Sequence, residues 1–184
     1  YFGIMDKLKI KRLDDAAFDT IYYKGKTYDY AMGYPQFIET ICRSFPHEKE
    51  NLKCYAEQLQ AVGNLISVDH LKQGTLALEG MKYFCTSAAH LIADITPDPA
   101  LRNVLAGLKD VSTFYQHAMI NHSYIEGAYR FVDGSMQVSL ELINVIRANG
   151  GTVLNNSEAT RIIVENEKVQ GVIINGEERL ESDF

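Results

Sequence analysis

The sequence predicts a chain of mixed class. Residues 1–131 read as α+β, a mixed-sheet region with a helical cluster; residues 132–184 read as α/β, a helix, a strand and a β-meander. Three observations predict this. A two-strand hairpin pattern stands ahead of a series of helix-period segments. A strongly apolar stretch then ends at the glycine pair Gly150-Gly151. Alternating β-branched runs, separated by turn residues, fill the C-terminal end.

The elements follow in order. "FDTIYYKGKTYDYAMG" is two short β-type runs around Lys24-Gly25-Lys26, a hairpin signal. "YPQFIETICRSF" is a short helix opening near Pro35, since proline suits the first helical turn. Ser44 and Pro46 punctuate, and "PHEKENLKCYAEQLQAVGNLISVDHLK" reads as a longer helix. Its apolar positions Leu52, Tyr55, Leu59, Val62 and Ile66 step by three and four, which places them on one face. Residues 81–108 hold two shorter helices broken by "ITPDP", with Thr96 as the expected cap.

"STFYQHAMINHSYIEGAYRF" is rich in aromatics and histidine and is expected to be helical over its first half. After Asp133-Gly134 comes "SMQVSLELINVIRANGG", apolar nearly all the way round at Met136, Val138, Leu140, Leu142, Ile143, Val145 and Ile146. A helix without a polar face is expected to be covered on several sides. Asn149-Gly150-Gly151 gives it a left-handed stop. "TVLN" is expected as a strand, and a meander follows in which Asn175-Gly176 is a two-residue hairpin turn.

Composition narrows the function classes. Hydrophobic residues make up 46% and charged residues 23%, the balance of a globular chain. The net charge of -6 argues against an electrostatic nucleic-acid surface. No apolar run reaches the roughly 18–20 residues of a membrane span. Tyr1 to Leu13 has no basic-then-apolar order of a signal peptide. Cys42, Cys54 and Cys85 form no CxxC pair, so a reduced, cytoplasmic setting is expected, with peripheral membrane contact left open. The triplets Asn121-His122-Ser123 and Asn155-Asn156-Ser157 read as chance glycosylation matches in that setting. The chain starts without Met and stops where an alternating strand is still running, so it reads as part of a longer protein.

Tyr115, Met119, His122, Glu126 and Tyr129 fall close to one helical face, with His117 and Tyr124 alongside. A cavity for a long apolar ligand needs apolar and aromatic walls with few polar groups, and this stretch has that composition. His122 or Tyr124 is a candidate proton donor, beside the plainer reading of hydrogen-bonded interface residues. No catalytic residue is assigned. The turn at Asp133, Gly134 and Ser135 opens a helix whose N–H groups suit an anionic group; the plainer reading is capping by Asp133 or Ser135. His47-Glu48 and His90 with Asp94 lack further ligands at usable spacing, so no metal site is expected, and Cys42 and Cys85 read as small buried groups.

From "YRFVDGSMQV" to the C-terminus the sequence resembles the flavin-dependent phytoene desaturase, carotenoid isomerase and retinol saturase group, relatives of the amine oxidases. Asp133-Gly134-Ser135-Met136 stands for that group's turn, and Gly150-Gly151 for its glycine pair. Asn156-Ser157-Glu158-Ala159-Thr160-Arg161-Ile162 stands for its N-T-x-V-x-x-I run. Upstream, "LKIKRLDDAAFDTIYYKGKTYDY" and "SFPHEKENLKCYAEQL" are similar to the same group's substrate region. The resemblance implies a two-domain flavoprotein with residues 1–131 in the substrate-binding region and 132–184 in a partial FAD-binding domain. It implies an oxidoreductase with FAD, NAD(P) as a candidate electron donor, and a hydrophobic isoprenoid substrate. Ala159 stands where the group has a valine whose backbone binds the adenine of FAD. The departure is the G-x-G-x-x-G loop that holds the FAD pyrophosphate: no G-x-G occurs in this chain. Two other readings remain, a lipid- or partner-binding module without flavin and an amine oxidase-like flavoenzyme.

Overall fold

A computed structural model describes residues 2–65, 81–107 and 113–181. The chain divides into two compact units, one formed by Lys9–Asp133 and the other by Tyr1–Leu8 with Gly134–Phe184.

In the first unit, strand β1 (Ile10–Arg12) pairs antiparallel with β4 (Tyr129–Phe131), placing Lys11 opposite Arg130. This ribbon was not legible in the sequence. Strands β2 (Asp19–Tyr23) and β3 (Lys26–Tyr30) form the expected hairpin. Lys24 and Gly25 both have positive φ, 50° and 78°, the left-handed pair that matches strand twist in a two-residue turn. Helix α1 (Tyr34–Ser44) starts with Pro35 in its first turn, as expected.

A 3-10 turn at Pro46–Glu48 leads into α2 (Lys49–Asn64). Leu52, Tyr55, Leu59 and Val62 are all fully buried, the face that the three-four spacing predicts. The expected continuation of this helix through Ile66 lies outside the described residues.

Three helices, not two, occupy the next stretch: α3 (Met81–Cys85), α4 (Ala88–Ile95) and α5 (Pro99–Ala106). The prolines do break α4 from α5, and Thr96 is the C-cap of α4, its N–H donating to Ile92 O at 3.1 Å; the N-terminus of α5 is capped by Asp98. Its Oδ1 accepts from the N–H groups of Ala100 (2.7 Å) and Leu101 (3.0 Å). Thr96 also ties elements together, its Oγ1 donating to Glu48 Oε2 at 2.7 Å and accepting from the Asp98 N–H. Cys85, expected in the core, is exposed.

Helix α6 (Phe114–Glu126) runs through most of the His- and Tyr-rich stretch. It opens with a reciprocal capping box between Thr113 and Gln116, two orphan N–H groups being satisfied at once. One continuous core, from Tyr28 to Ile125, is built by α1, α2, α3, α4, α5 and α6 with the hairpin.

The second unit holds α7 (Met136–Ala148) and a three-stranded antiparallel meander of β5 (Ala159–Glu165), β6 (Lys168–Ile174) and β7 (Glu178–Glu181). The Asn175-Gly176 turn has φ of 51° and 83°, as the hairpin reading requires. Helix α7 ends as expected: Gly150 has φ 81°, its N–H donates to Arg147 O, and the Gly151 N–H donates to Ile146 O. That is the six-to-one and five-to-two bond pair of a Schellman stop.

Two expectations fail in this unit. Helix α7 was expected to be covered on several sides, yet none of its residues is buried, and Leu140 is 53% exposed. "TVLN" was expected as a strand but is irregular, because a strand needs a ladder partner and none pairs with it among the described residues. No helix among the described residues is long and apolar enough to cross a membrane.

Candidate functional site

Helix α6 presents three faces. Phe114, His117, Ala118 and Ile125 are buried in the core, and Ile120, Ser123 and Tyr124 are exposed. Between them Tyr115, Met119 and His122 are half-buried, spaced by four and three, so they form one stripe. Glu126 continues the stripe at the exposed end of the helix.

The stripe is apolar at one end and polar at the other. Tyr115 stacks on Phe84 of α3, with ring centroids 3.9 Å apart. Seven residues on, His122 Nδ1 lies 2.8 Å from the Tyr34 hydroxyl at the start of α1. Gly63 of α2 makes that placement feasible: a Cβ there would overlap the His122 ring. The imidazole is thus held flat on α2 and anchored through one nitrogen. Burial, and then the nearby charge of Glu126, push the Tyr34 phenol well above its ordinary value, so it stays protonated.

A second Tyr–His pair lies deeper. Tyr55 of α2 meets His117 Nε2 at 2.7 Å, and Asn121 Nδ2 donates to the His117 carbonyl at 2.9 Å. His117 is 6% exposed, and burial lowers its pKa from 6.5 to about 4, so the ring is neutral near pH 7. Burial likewise raises Tyr55 well above its ordinary value. This pair is buried and joins α2 to α6, so it is a core fastening.

The remaining expected ligand residues separate from the stripe. Tyr124 points to the other side of α6, 47% exposed, its ring stacked on Phe18 at 6.0 Å. Tyr129 leaves the helix for β4, where its hydroxyl accepts from Arg12 Nη1 at 3.3 Å. Helical spacing cannot extend past Gly127, where α6 ends. Tyr34, Gly63 and Phe84, which complete the stripe, carried no signal in the sequence, because they come from other helices far along the chain. Among the described residues no three His, Cys, Asp or Glu side chains gather to hold a metal.

In the other unit, Gly134 has φ 96° with open space around the position a Cβ would occupy. Ser135 precedes α7 without capping it by a side-chain hydrogen bond, so ordinary capping is not what this turn does. Asp133 does not cap either; it faces Lys9 at 3.8 Å, both side chains largely exposed. Ala159 opens strand β5 opposite Ile174. The Glu158 carbonyl accepts from the Asn175 N–H at 2.9 Å. In an antiparallel ladder this makes Ala159–Ile174 a non-hydrogen-bonded pair. The N–H and C=O of Ala159 therefore point away from β6, toward the edge of a strand that, among the described residues, pairs with β6 alone.

No family model matches the chain. The chain is similar to the all-trans-retinol 13,14-reductase of Rattus norvegicus, 23% identical over 192 aligned positions. That match covers 88% of this chain and 32% of the rat enzyme, so the chain spans about a third of the relative's length. The group that the sequence motifs resemble and the relative found by comparison thus agree at the level of a distant, partial, retinol saturase-like likeness.

Proposed function

We propose that this chain is the substrate-binding region and part of the cofactor domain of an FAD-dependent oxidoreductase. Its substrate is a carotenoid- or retinol-like isoprenoid, altered at a C=C bond. The observation that carries this reading is the likeness to a retinol reductase along 88% of the chain. In this reading the chain alone is inactive, and activity belongs to the longer polypeptide.

The geometry supports the reading at both units. The outward N–H and C=O of Ala159 offer one donor and one acceptor on an open strand edge, which fits the edge of an adenine ring. Gly134 leaves room for close approach to the N-terminus of α7, where backbone N–H groups favour a negative or polar group. These residues fit the adenosine end of FAD; the flavin, when bound, supplies hydride chemistry. The half-buried stripe of α6 supplies the apolar and aromatic wall that an isoprenoid chain needs.

A visible absorption spectrum of the full-length protein, with the released pigment identified, tests this. Flavin bands with FAD on release are expected, followed by turnover of a retinoid or carotenoid. A colourless, folded protein would remove the reading and leave a lipid-binding module. The stripe favours that alternative because it is built wholly within Lys9–Asp133.

A further inference from the structure

We propose that Tyr55 is a redox-active tyrosine. A one-electron oxidant of the organic peroxyl class draws an electron from it through a file of aromatic rings. The file starts at the exposed Tyr124, and the phenolic proton of Tyr55 passes to Nε2 of His117. This role is independent of the isoprenoid and flavin reading, because every residue that carries it lies within Lys9–Asp133.

The file alternates phenol and phenyl rings. Tyr124, 47% exposed, stacks on Phe18 with centroids 6.0 Å apart, and Phe18 meets Tyr30 at 6.1 Å. Tyr30 then meets Phe37 at 5.1 Å, and Phe37 meets Tyr55 at 6.3 Å. Each separation falls within the range of about 4.5–7 Å over which aromatic rings pack directly, so no gap interrupts the file. A phenylalanine ring bridges but is harder to oxidise than a phenol. The electron vacancy therefore rests on the tyrosines.

The proton decides where the vacancy stops. Losing an electron turns a phenol into a strong acid, so a stable product needs a base within hydrogen-bond reach. The Tyr30 hydroxyl donates to the Val104 carbonyl at 2.9 Å, and a peptide carbonyl is too weak a base to take the proton. Tyr55 instead meets an imidazole nitrogen at 2.7 Å. Burial holds that ring neutral near pH 7, which leaves it a proton short. With the imidazole proton on Nδ1, Nε2 accepts from the Tyr55 hydroxyl and gives this buried donor its partner. Tyr55 is fully enclosed, so the radical is kept from solvent.

Packing alone does not require this pair. Two apolar side chains of the same shape would fasten α2 to α6 without the desolvation of a hydroxyl and an imidazole. The chemistry balances between surface and core. At the surface the peroxyl group takes one electron and a proton from water, giving a hydroperoxide and hydroxide. In the core the O–H bond of Tyr55 breaks and an N–H bond forms on His117. The products there are a neutral phenoxyl radical and an imidazolium.

The test uses the full-length protein, kept dark, with peroxyl radicals released in air by thermal decomposition of a water-soluble azo initiator. Frozen samples are read by high-field electron paramagnetic resonance. A tyrosyl signal is expected, with a coupling to one exchangeable proton that is lost in heavy water. Tyr55→Phe and His117→Gln should both abolish it. Glutamine still offers the hydroxyl an acceptor but takes up no proton, so that variant separates the base from the fastening. Tyr124→Phe, at an exposed site, should lower the yield, and it decides the matter if the two core variants do not fold. Tyr34→Phe, which removes the hydroxyl of the other Tyr–His pair, should leave the signal unchanged. Absence of the signal overturns the assignment, as does its survival in Tyr55→Phe or His117→Gln. A yield unmoved by Tyr124→Phe, or a signal lost with Tyr34→Phe, overturns it as well.

Discussion

The two units are both rich in apolar residues but use them differently. Lys9–Asp133 buries a continuous cluster in which Phe37, Leu52, Tyr55, Leu59, Leu101 and Phe114 are fully enclosed. In Tyr1–Leu8 with Gly134–Phe184, Ile4 and Ile174 are the buried apolar side chains among the described residues. Ile162 there is 62% exposed, and it lies in a cross-strand row with Val172 and Leu180. Local geometry is nevertheless complete in both: turns, glycine stops and ladders are formed wherever neighbours in sequence suffice. What differs is the tertiary cover, and stability in a small unit comes mainly from that cover.

The comparison breaks first where the core is densest. Leu59→Ala empties a fully enclosed site between α2 and its neighbours and is expected to cost about 2–5 kcal/mol. Chemical denaturation of the 184-residue chain measures it. A loss below about 1 kcal/mol would mean that the first unit is packed far more loosely than its burial states.

Acid should weaken the same unit through His117. Its ordinary pKa of 6.5 falls to about 4 in the fold because burial penalises the charged ring. Between those values the unfolded chain takes up a proton that the folded chain refuses. Stability is therefore fully present above about 6.5, declines as pH falls toward 4, and levels off below. At ~1.4 kcal/mol per pH unit this amounts to roughly 3 kcal/mol. Thermal midpoints from pH 7 to 4 check the slope, and His117→Gln, which still offers Tyr55 an acceptor, should flatten it.

Tyr55→Phe should act next, by removing the hydroxyl that meets His117 Nε2 at 2.7 Å and leaving that buried ring nitrogen only the longer contact with Asn121 Nδ2 at 3.4 Å. A cost of about 1–3 kcal/mol is expected at neutral pH. The substitution should also leave α2 and α6 otherwise packed, since the ring volume is retained. A Tyr55→Phe chain as stable as the parent would show that His117 finds another partner.

These residues also mark how far the sequence could be read. The Lys24-Gly25 and Asn175-Gly176 turns were legible because two adjacent residues determine them. The buried face of α2 was legible because Leu52, Tyr55, Leu59 and Val62 repeat with the helix period. By contrast, β1 and β4 are three-residue strands that exist through each other, and Arg12 meets Tyr129 across 117 positions. The Tyr34–His122 bond spans 88 positions and Tyr55–His117 spans 62, so no local spacing announces either. His122 was legible as a candidate, but the glycine and tyrosine that hold it were not. Helix α7 was read as covered because apolar residues surround it, yet composition alone states a demand for cover and not its source.

That demand gives the smallest expected effect and the sharpest use of the comparison. Leu140 stands 53% exposed on α7, so Leu140→Ser in the 184-residue chain removes little burial and should change stability by less than about 0.5 kcal/mol. Under the proposed function the rest of a longer polypeptide covers this helix, and there the same substitution would place a hydroxyl against apolar neighbours. In the full-length protein it should then cost about 2 kcal/mol or more, since both a buried leucine's transfer energy and an unpaired polar group are involved. Parallel denaturation of the two proteins measures the difference directly. Equal, small effects in both would mean that α7 stays open to solvent in the whole molecule and that this unit is not part of a larger cofactor domain. A cost confined to the longer protein would assign the missing cover to the rest of the same polypeptide.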